Sequence, residues 1–129
     1  MTVAVLSVTT SRGLPFREGV GRMPDMDEII QEMVRRIVEV AHPDRIILFG
    51  SRARGAATAD SDVDLLVVAP STEPPWQRVV PLYRALRGLG VSKDILWHTP
   101  EEVAHWQDAL SHVIAVALRE GKVLYGSQA

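Results

Sequence analysis

The amino-acid sequence predicts an α/β (α+β) fold in which a small mixed β-sheet is flanked by helices. Three observations lead to this expectation. A capped segment with apolar residues at a spacing of 3.6 follows Pro24, four short apolar runs are typical of strands, and turn or cap signals separate them. The resulting order is helix, strand, strand, helix, strand, helix, strand.

The first helix is predicted because Asp25 and Glu28 have the spacing of a capping box. Its apolar stripe comprises Ile29, Ile30, Met33, Val34, Ile37, Val38 and Ala41. Pro43 ends this helix, because it disfavours helical backbone at the residue before it. The apolar run 45–49 predicts a strand buried on both faces, and a short helical turn through 56–57 is compatible with the sequence.

The middle of the chain continues with a second strand over 62–69 and a helix over 76–87. Pro81 lies inside that helical pattern and is expected to kink the helix or delay its start. Gly88 follows the last apolar position and ends the helix. Residues 91–98 then predict a third strand.

The last quarter begins with a clear helix-start signal, in which Thr99 is the N-cap and Glu102 closes a capping box. One helix or two are expected over 101–120, ended by Gly121. Residues 122–125 predict a short edge strand.

The bulk composition indicates one globular domain. The chain has 129 residues, 47% of them hydrophobic and 23% charged, with a formal net charge of −2. This slight acidity argues against strong binding to nucleic acid through a basic surface. The absence of cysteine excludes disulfides and thiolate catalysis. Because no apolar run is long enough to span a bilayer, we expect a cytoplasmic protein without a membrane segment.

The first 24 residues differ from the rest, since they show no sustained period of two or of 3.6 residues. We interpret residues 1–24 as a disordered extension, or as the result of a start codon assigned too far upstream, with Met23 or Met26 as the real start. The folded domain is then expected over residues 25–129.

Two acids stand at the mouth of the second strand. Asp62 and Asp64 are separated by one residue, so their side chains point to the same face of the strand, about 6–7 Å apart at Cα. The rest of the strand is apolar, and unpaired carboxylates beside a core would repel each other and have raised pKa values. A divalent cation shared by both carboxylates removes that difficulty.

A third acid, Asp94, lies near the start of the third strand. If the two strands are neighbours, Asp94 faces the same ion site as Asp62 and Asp64. Three carboxylates, Mg²⁺ and triphosphate oxygens are the components of a two-metal site for phosphoryl or nucleotidyl transfer. The alternative is that Asp94 forms an ordinary ion pair with a neighbouring cation, for which the candidates are Arg84, Arg87 and Lys93.

Gly50 and Ser51 follow the first strand directly. A glycine there lets the backbone approach a phosphate closely, and the serine hydroxyl can bind phosphate oxygens. Arg52 and Arg54 add positive charge at the same edge, although both could belong to a solvated loop. The segment is not a P-loop, because the Gly-Lys-Ser/Thr signature is absent.

Gly50-Ser51, ten further residues and then Asp62-Val63-Asp64 resemble the Gly-Ser…Asp-x-Asp signature of the DNA polymerase β-like nucleotidyltransferase superfamily. The segment 49–55, Phe-Gly-Ser-Arg-Ala-Arg-Gly, resembles in particular the minimal nucleotidyltransferases. The resemblance covers about residues 25–125.

The resemblance implies a polymerase β-like nucleotidyltransferase fold and a Mg²⁺-dependent enzyme, with two ions, that transfers a nucleoside monophosphate from ATP or another nucleoside triphosphate. Asp62, Asp64 and Asp94 would be metal ligands and catalytic residues, and Gly50, Ser51 and Arg52 would hold the triphosphate. Minimal nucleotidyltransferases are often encoded beside a helical protein of the HEPN type, frequently a toxin. The resemblance therefore implies an antitoxin that adenylylates a protein partner and forms a hetero-oligomer with it.

Two other functions stay open on the sequence. One is a non-catalytic antitoxin that neutralises a helical partner by contact. The other is nucleotidyl transfer to a small molecule or to nucleic acid. The histidines at 98, 105 and 112 recur every seven residues, which on one helix is about 10.5 Å, too far to share an ion. We expect them at the surface or at an interface.

Overall fold

The computed structural model describes residues 24–109 and 112–126. In chain order the described residues form α1 (Met26–Ala41), β1 (Arg45–Phe49), α2 (Ser51–Arg54), β2 (Val63–Val68), α3 (Pro75–Arg78), α4 (Val80–Ala85), β3 (Lys93–His98), α5 (Pro100–Trp106), α6 (Val113–Glu120) and β4 (Lys122–Gly126). Residues 1–23 lie outside this description, so the interpretation of the N-terminal extension stays a prediction.

The sheet is mixed, as the sequence predicts. Its strands are ordered β3-β2-β1-β4, with β1 antiparallel to both β2 and β4, and β2 parallel to β3. Because β1 runs opposite to β2 and β3, its C-terminal end lies at the same end of the sheet as the first residues of β2 and β3. One edge of the sheet thus collects the glycine after β1 and the acids that open β2 and β3.

Each face of the sheet has its own apolar core. One face packs against α1 and α4 through a cluster that includes Met33, Ile37, Leu65 and Leu82. The other face packs against α5 and α6 through a smaller cluster that includes Ile47, Leu66, Val103, Ile114 and Ala117. β2 is buried by both clusters, which explains its nearly continuous apolar sequence.

Helix α1 begins and ends as its sequence predicts. Asp25 accepts a hydrogen bond from the Glu28 backbone N–H (2.9 Å), and the Glu28 carboxylate accepts one from the Asp25 N–H (3.0 Å). His42 ends the helix in the left-handed region, with φ 46°. Of the predicted stripe, Ile30, Met33, Val34 and Ile37 are buried, and the remaining members are partly buried.

A buried charge cluster fastens α1 to the end of α4. Glu32 is buried and accepts hydrogen bonds from Arg35 (2.9 Å) and Arg36 (2.8 Å). Burial raises the pKa of Glu32, but these hydrogen bonds outweigh it and lower the pKa overall. Arg36 also donates to the carbonyls of Ala85 and Arg87, both at 3.0 Å. A side chain of α1 thereby satisfies the last carbonyl of α4 and a carbonyl of the turn that follows it.

Two predicted elements differ from the observed ones. The helix expected over 76–87 is two helices, α3 and α4, because Pro81 lies in the first turn of α4, where proline is tolerated. The segment 101–120, expected to hold one helix or two, contains two, α5 and α6, as the second alternative predicts. The turn suggested at 56–57 is wrong in position, since α2 ends at Arg54 and Gly55 closes it with φ 76°.

A second ion pair fastens α3 to the start of α5, at the opposite end of β3 from the acids. The buried Arg78 forms a two-pronged contact with the Glu102 carboxylate, at 2.7 and 3.0 Å, and donates to the Trp97 carbonyl. The Arg78 hydrogen bond is the main reason that the pKa of Glu102 falls to about 2. Glu102 also closes the predicted capping box with Thr99.

Across residues 24–109 and 112–126, we find no helix whose length and apolar character would let it cross a membrane.

Candidate active site

Gly50 adopts a backbone conformation that other residues avoid. Its φ of 76° and ψ of −159° belong to a region that is essentially restricted to glycine. A Cβ at this position would also collide with the carboxylate oxygen Oδ2 of Asp64. The chain therefore leaves β1 directly against the Asp64 side chain, and only a residue without a Cβ fits at position 50.

The structure brings the three predicted acids to one edge. Phe49, the residue before Gly50, pairs with Asp64, and Asp64 pairs in register with Asp94 on the parallel strand β3. Neighbouring strands lie about 4.8 Å apart, so paired side chains stand beside each other. Asp62 lies just before β2, two residues from Asp64, and its charge is close enough to act on the Asp64 carboxylate. Asp62 and Asp94 are exposed, whereas Asp64 is half-buried.

The electrostatics of Asp64 follow from this arrangement. Burial raises its pKa most, and the negative charges of Asp94 and then Asp62 raise it further. The positive charge of Arg54 acts in the opposite direction. The site therefore concentrates negative charge that the described side chains do not neutralise.

The donor chemistry fits a hard divalent cation. All three side chains offer carboxylate oxygens, the ligands that Mg²⁺ prefers. Among the described residues, no group of three or more His, Cys, Asp or Glu side chains could by itself hold a metal ion. The residues fit an ion held by one or two carboxylates and completed by substrate phosphates, which is the usual mode for Mg²⁺ at nucleotide sites.

The two arginines of α2 have different surroundings. The Nη2 atom of Arg52 donates to the Ser61 carbonyl at 2.7 Å and lies 3.4 Å from the Thr58 carbonyl. Arg54 is half-exposed and lies 3.9 Å from Glu120, at the end of α6. The phosphate-binding role of Arg52 implied by the resemblance stays a prediction.

The alternative ion pair of Asp94 is not observed. In the part of the chain that the structure describes, no salt bridge joins Asp94 to Arg84, Arg87 or Lys93. The seven-residue histidine spacing has no common site either. His98 contacts Glu102, whereas His112 stacks on Trp106 at a ring-centroid distance of 4.3 Å.

Glu120 was not predicted from the sequence, although its carboxylate lies within reach of Arg54. The two residues are far apart along the chain, and no local pattern connects them. A signal was nevertheless present at the next residue. A Cβ on Gly121 would collide with the backbone carbonyl of Ala117 and crowd Ile47, so this glycine lets the end of α6 pack tightly on β1.

Comparison with known proteins gives a consistent result. Residues 26–119, more than half of the chain, match the family model described as "Nucleotidyltransferase domain". A crystal structure from Sulfolobus solfataricus, provisionally assigned as a nucleotidyltransferase, is similar with a TM-score of 0.58 and 21% identity, over 80% of this chain and 82% of that one. A toxin–antitoxin structure with AMP-PNP is similar with a TM-score of 0.48 and 22% identity, over 75% and 73%. No curated protein sequence matches this chain with significance. The fold is thus the polymerase β-like nucleotidyltransferase fold, and the chain belongs to the nucleotidyltransferase domain family.

Proposed function

We propose that this protein is a Mg²⁺-dependent nucleotidyltransferase that transfers a nucleoside monophosphate, AMP from ATP in the first instance, to a protein acceptor. The observation that carries the proposal is that Asp64 pairs in register with Asp94, while the Asp64 carboxylate lies against Gly50, the residue that follows β1. Family membership gives the class of reaction. The geometry supports the choice of residues that would perform it.

In the proposed reaction, an acceptor hydroxyl oxygen attacks the α-phosphorus of the triphosphate, and the bond from that phosphorus to the bridging oxygen breaks. Pyrophosphate leaves with the bridging oxygen. Asp94, the more exposed partner of the pair, takes the proton of the acceptor hydroxyl. Gly50 leaves room for the Asp64 carboxylate, and the Ser51 hydroxyl donates to a phosphate oxygen.

Asp62 and Asp64 would hold the divalent cations together with phosphate oxygens of the substrate, because no group of three described His, Cys, Asp or Glu side chains could do so by itself. Cations bound there would supply charge neutralisation for the triphosphate and for the departing pyrophosphate. The raised pKa of Asp64 agrees with this role, because a carboxylate destabilised by burial and by its neighbours gains most from a bound cation.

The protein acceptor is proposed from the resemblance of segment 49–55 to minimal nucleotidyltransferases. On that basis the partner is a HEPN-type helical protein, a toxin in a pair in which this chain is the antitoxin. The described surface offers contacts for a protein, since Trp76 is 72% exposed and Trp106 is 40% exposed. Exposed aromatic side chains are typical of protein interfaces.

The test is a labelling assay. The protein is incubated with a lysate of its host, Mg²⁺ and ATP labelled at the α-phosphate, beside the Asp62→Asn/Asp64→Asn double variant. Asp108→Asn, a change of the same kind at an exposed carboxylate, is the matched control. A labelled protein band with wild type and control, absent with the double variant, supports the proposal, and mass spectrometry of the band names the acceptor.

Labelling of free RNA or of a small molecule in the same lysate would replace the protein acceptor but keep the enzyme. No label with any of the four nucleoside triphosphates would contradict catalysis. In that case a non-catalytic antitoxin, neutralising a partner by contact, becomes the better account.

A further inference from the structure

We propose that Arg52 is a positioning residue, which holds the loop that carries Asp62 in place for metal binding, and that it does not contact the triphosphate. This proposal rests on the proposed function, because it assigns a task within the same site. It departs from the role implied by the sequence resemblance, in which Arg52 binds phosphate.

The guanidinium of Arg52 is directed towards the loop that precedes Asp62. Nη2 of Arg52 donates to the carbonyl of Ser61, the residue immediately before Asp62, at the short distance of 2.7 Å. The same nitrogen lies 3.4 Å from the Thr58 carbonyl. Its Nε is buried and has no hydrogen-bond partner among the described residues. A buried Nε cannot meet a phosphate unless the side chain first leaves the loop.

The loop over 58–61 is closed by its own hydrogen bonds, and Arg52 holds it from outside the loop. Its turn is held by the Thr58 N–H to the Ser61 hydroxyl (2.9 Å) and by the Ser61 N–H to the Thr58 carbonyl (3.1 Å). The Asp60 N–H also donates to the Thr58 hydroxyl. These bonds shape the turn without fixing it to the sheet. Arg52 connects this preformed turn to α2.

Asp62 lies between two residues whose backbone is held by hydrogen bonds, Ser61 and Val63. On its C-terminal side, the Val63 N–H donates to the Ser92 carbonyl (2.9 Å), and this bond sets the start of β2 beside β3. On its N-terminal side, the Ser61 carbonyl is held by Arg52. Arg52 itself follows Gly50 and Ser51 directly. One guanidinium therefore couples the segment proposed for phosphate to the carboxylate proposed for the cation.

Residues that orient metal ligands without touching the metal affect binding strongly. Their removal commonly costs 10–100-fold in metal affinity or activity. Lysine can donate to one carbonyl but lacks the planar fork of arginine, so it is expected to restore only part of the anchor.

The experiment compares wild type with Arg52→Ala, Arg52→Lys and the control Arg84→Ala. Arg84 is exposed on α4, and its side chain forms no hydrogen bond or ion pair with the described residues. Two readouts are used. The first is hydrogen exchange of the backbone amides at 56–61, without metal or nucleotide. The second is the affinity for Mn²⁺, measured by electron paramagnetic resonance.

We expect Arg52→Ala to lower protection at 56–61 by about tenfold or more, the equivalent of one charged hydrogen bond, while protection in α1 and β1 stays as in wild type. Mn²⁺ affinity should fall about 10–100-fold, and Arg52→Lys should recover part of both losses. Arg84→Ala should change neither. If Arg52→Ala does not fold, Arg52→Lys alone decides, since it must show an intermediate loss in both readouts.

Unchanged protection at 56–61 in Arg52→Ala would overturn the proposal at any Mn²⁺ affinity, because Arg52 would then not hold the loop in place. A uniform loss of protection throughout the protein, with the same Mn²⁺ affinity, would also overturn it, because Arg52 would then be only structural. The exchange comparison needs no turnover. Failure of the labelling assay with wild type would therefore count against the proposed function and leave the role of Arg52 to be decided separately.

Discussion

Gly50 and Asp64 are in such close contact that the carboxylate of the second occupies the space where a side chain of the first would stand. Gly50 ends one strand and Asp64 lies near the start of its antiparallel neighbour, so the contact is built into the register of the sheet. The glycine of the Gly-Ser pair therefore has a structural reason within the protein itself, in addition to any approach of a phosphate. Both demands are expected to act on the same residue.

The Gly50→Ala substitution tests this contact. We expect the free energy of unfolding to fall by about 1–3 kcal/mol from backbone strain alone, and Mg²⁺-dependent nucleotide binding to be lost because Asp64 is displaced. Gly88→Ala is the matched control, since Gly88 also has positive φ (85°) but no described atom lies within 4 Å of a Cβ built there. Urea unfolding and nucleotide binding are measured on both variants. Equal binding losses in the two variants would contradict the specific role of the contact.

The Asp64→Asn substitution should stabilise the protein when no metal is present. The pKa of Asp64 is raised by burial and by its acidic neighbours, so ionisation at neutral pH costs folding free energy. We expect the free energy of unfolding to rise by about 0.5–2 kcal/mol at pH 7 in EDTA, the range typical of stabilising single substitutions. The gain should shrink as the pH falls through the raised pKa, because wild-type Asp64 then becomes neutral too. Destabilisation by Asp64→Asn in EDTA, with Asp108→Asn neutral, would be the opposite of this expectation.

The Glu102→Gln substitution addresses the ion pair at the far end of β3. The folded-state pKa of about 2 lies below the ordinary value of 4.5, so the pair stabilises the fold fully above about pH 4.5 and progressively less as the pH falls towards 2. We expect Glu102→Gln to cost about 1.5–3 kcal/mol at pH 7, the range for a hydrogen bond to a charged group. The difference in the free energy of unfolding between Glu102→Gln and wild type should become smaller below pH 4.5.

Chemical denaturation from pH 7 to about pH 2.5 covers most of the interval between the unfolded and folded pKa values and measures this effect. Glu101→Gln, at the neighbouring exposed carboxylate of the same helix, should behave as wild type throughout. A constant difference between Glu102→Gln and wild type over the whole range would mean that the charge of Glu102 contributes nothing, and that the loss comes from packing.

Local signals in the sequence predicted most of the fold. The capping boxes at Asp25 and Thr99, the apolar runs and the terminating Gly121 all correspond to observed boundaries within a few residues. The helices that differed did so for local reasons. Pro81 fits the first turn of a new helix better than the interior of a long one, and Gly55 closes α2 before the two alanines.

The candidate site could be predicted only in part. The sequence placed Asp64 and Asp94 each near the start of a strand, but their direct pairing depends on which strands are neighbours and on their direction. The different surroundings of Arg52 and Arg54 were also beyond the sequence, because their partners at Ser61 and Glu120 are set by loop conformation and by helix packing. Contacts between segments distant in the chain leave no periodic signal.

The most direct test of the central claim is a calorimetric titration of a non-hydrolysable ATP analogue, with and without Mg²⁺, into wild type, Asp64→Asn and Asp108→Asn. If the edge formed by Gly50, Asp64 and Asp94 holds a metal-bound triphosphate, wild type and Asp108→Asn will bind the analogue only with Mg²⁺. Asp64→Asn will then bind at least about tenfold more weakly. Equal, Mg²⁺-independent binding by all three proteins would contradict the assignment of this edge as the active site.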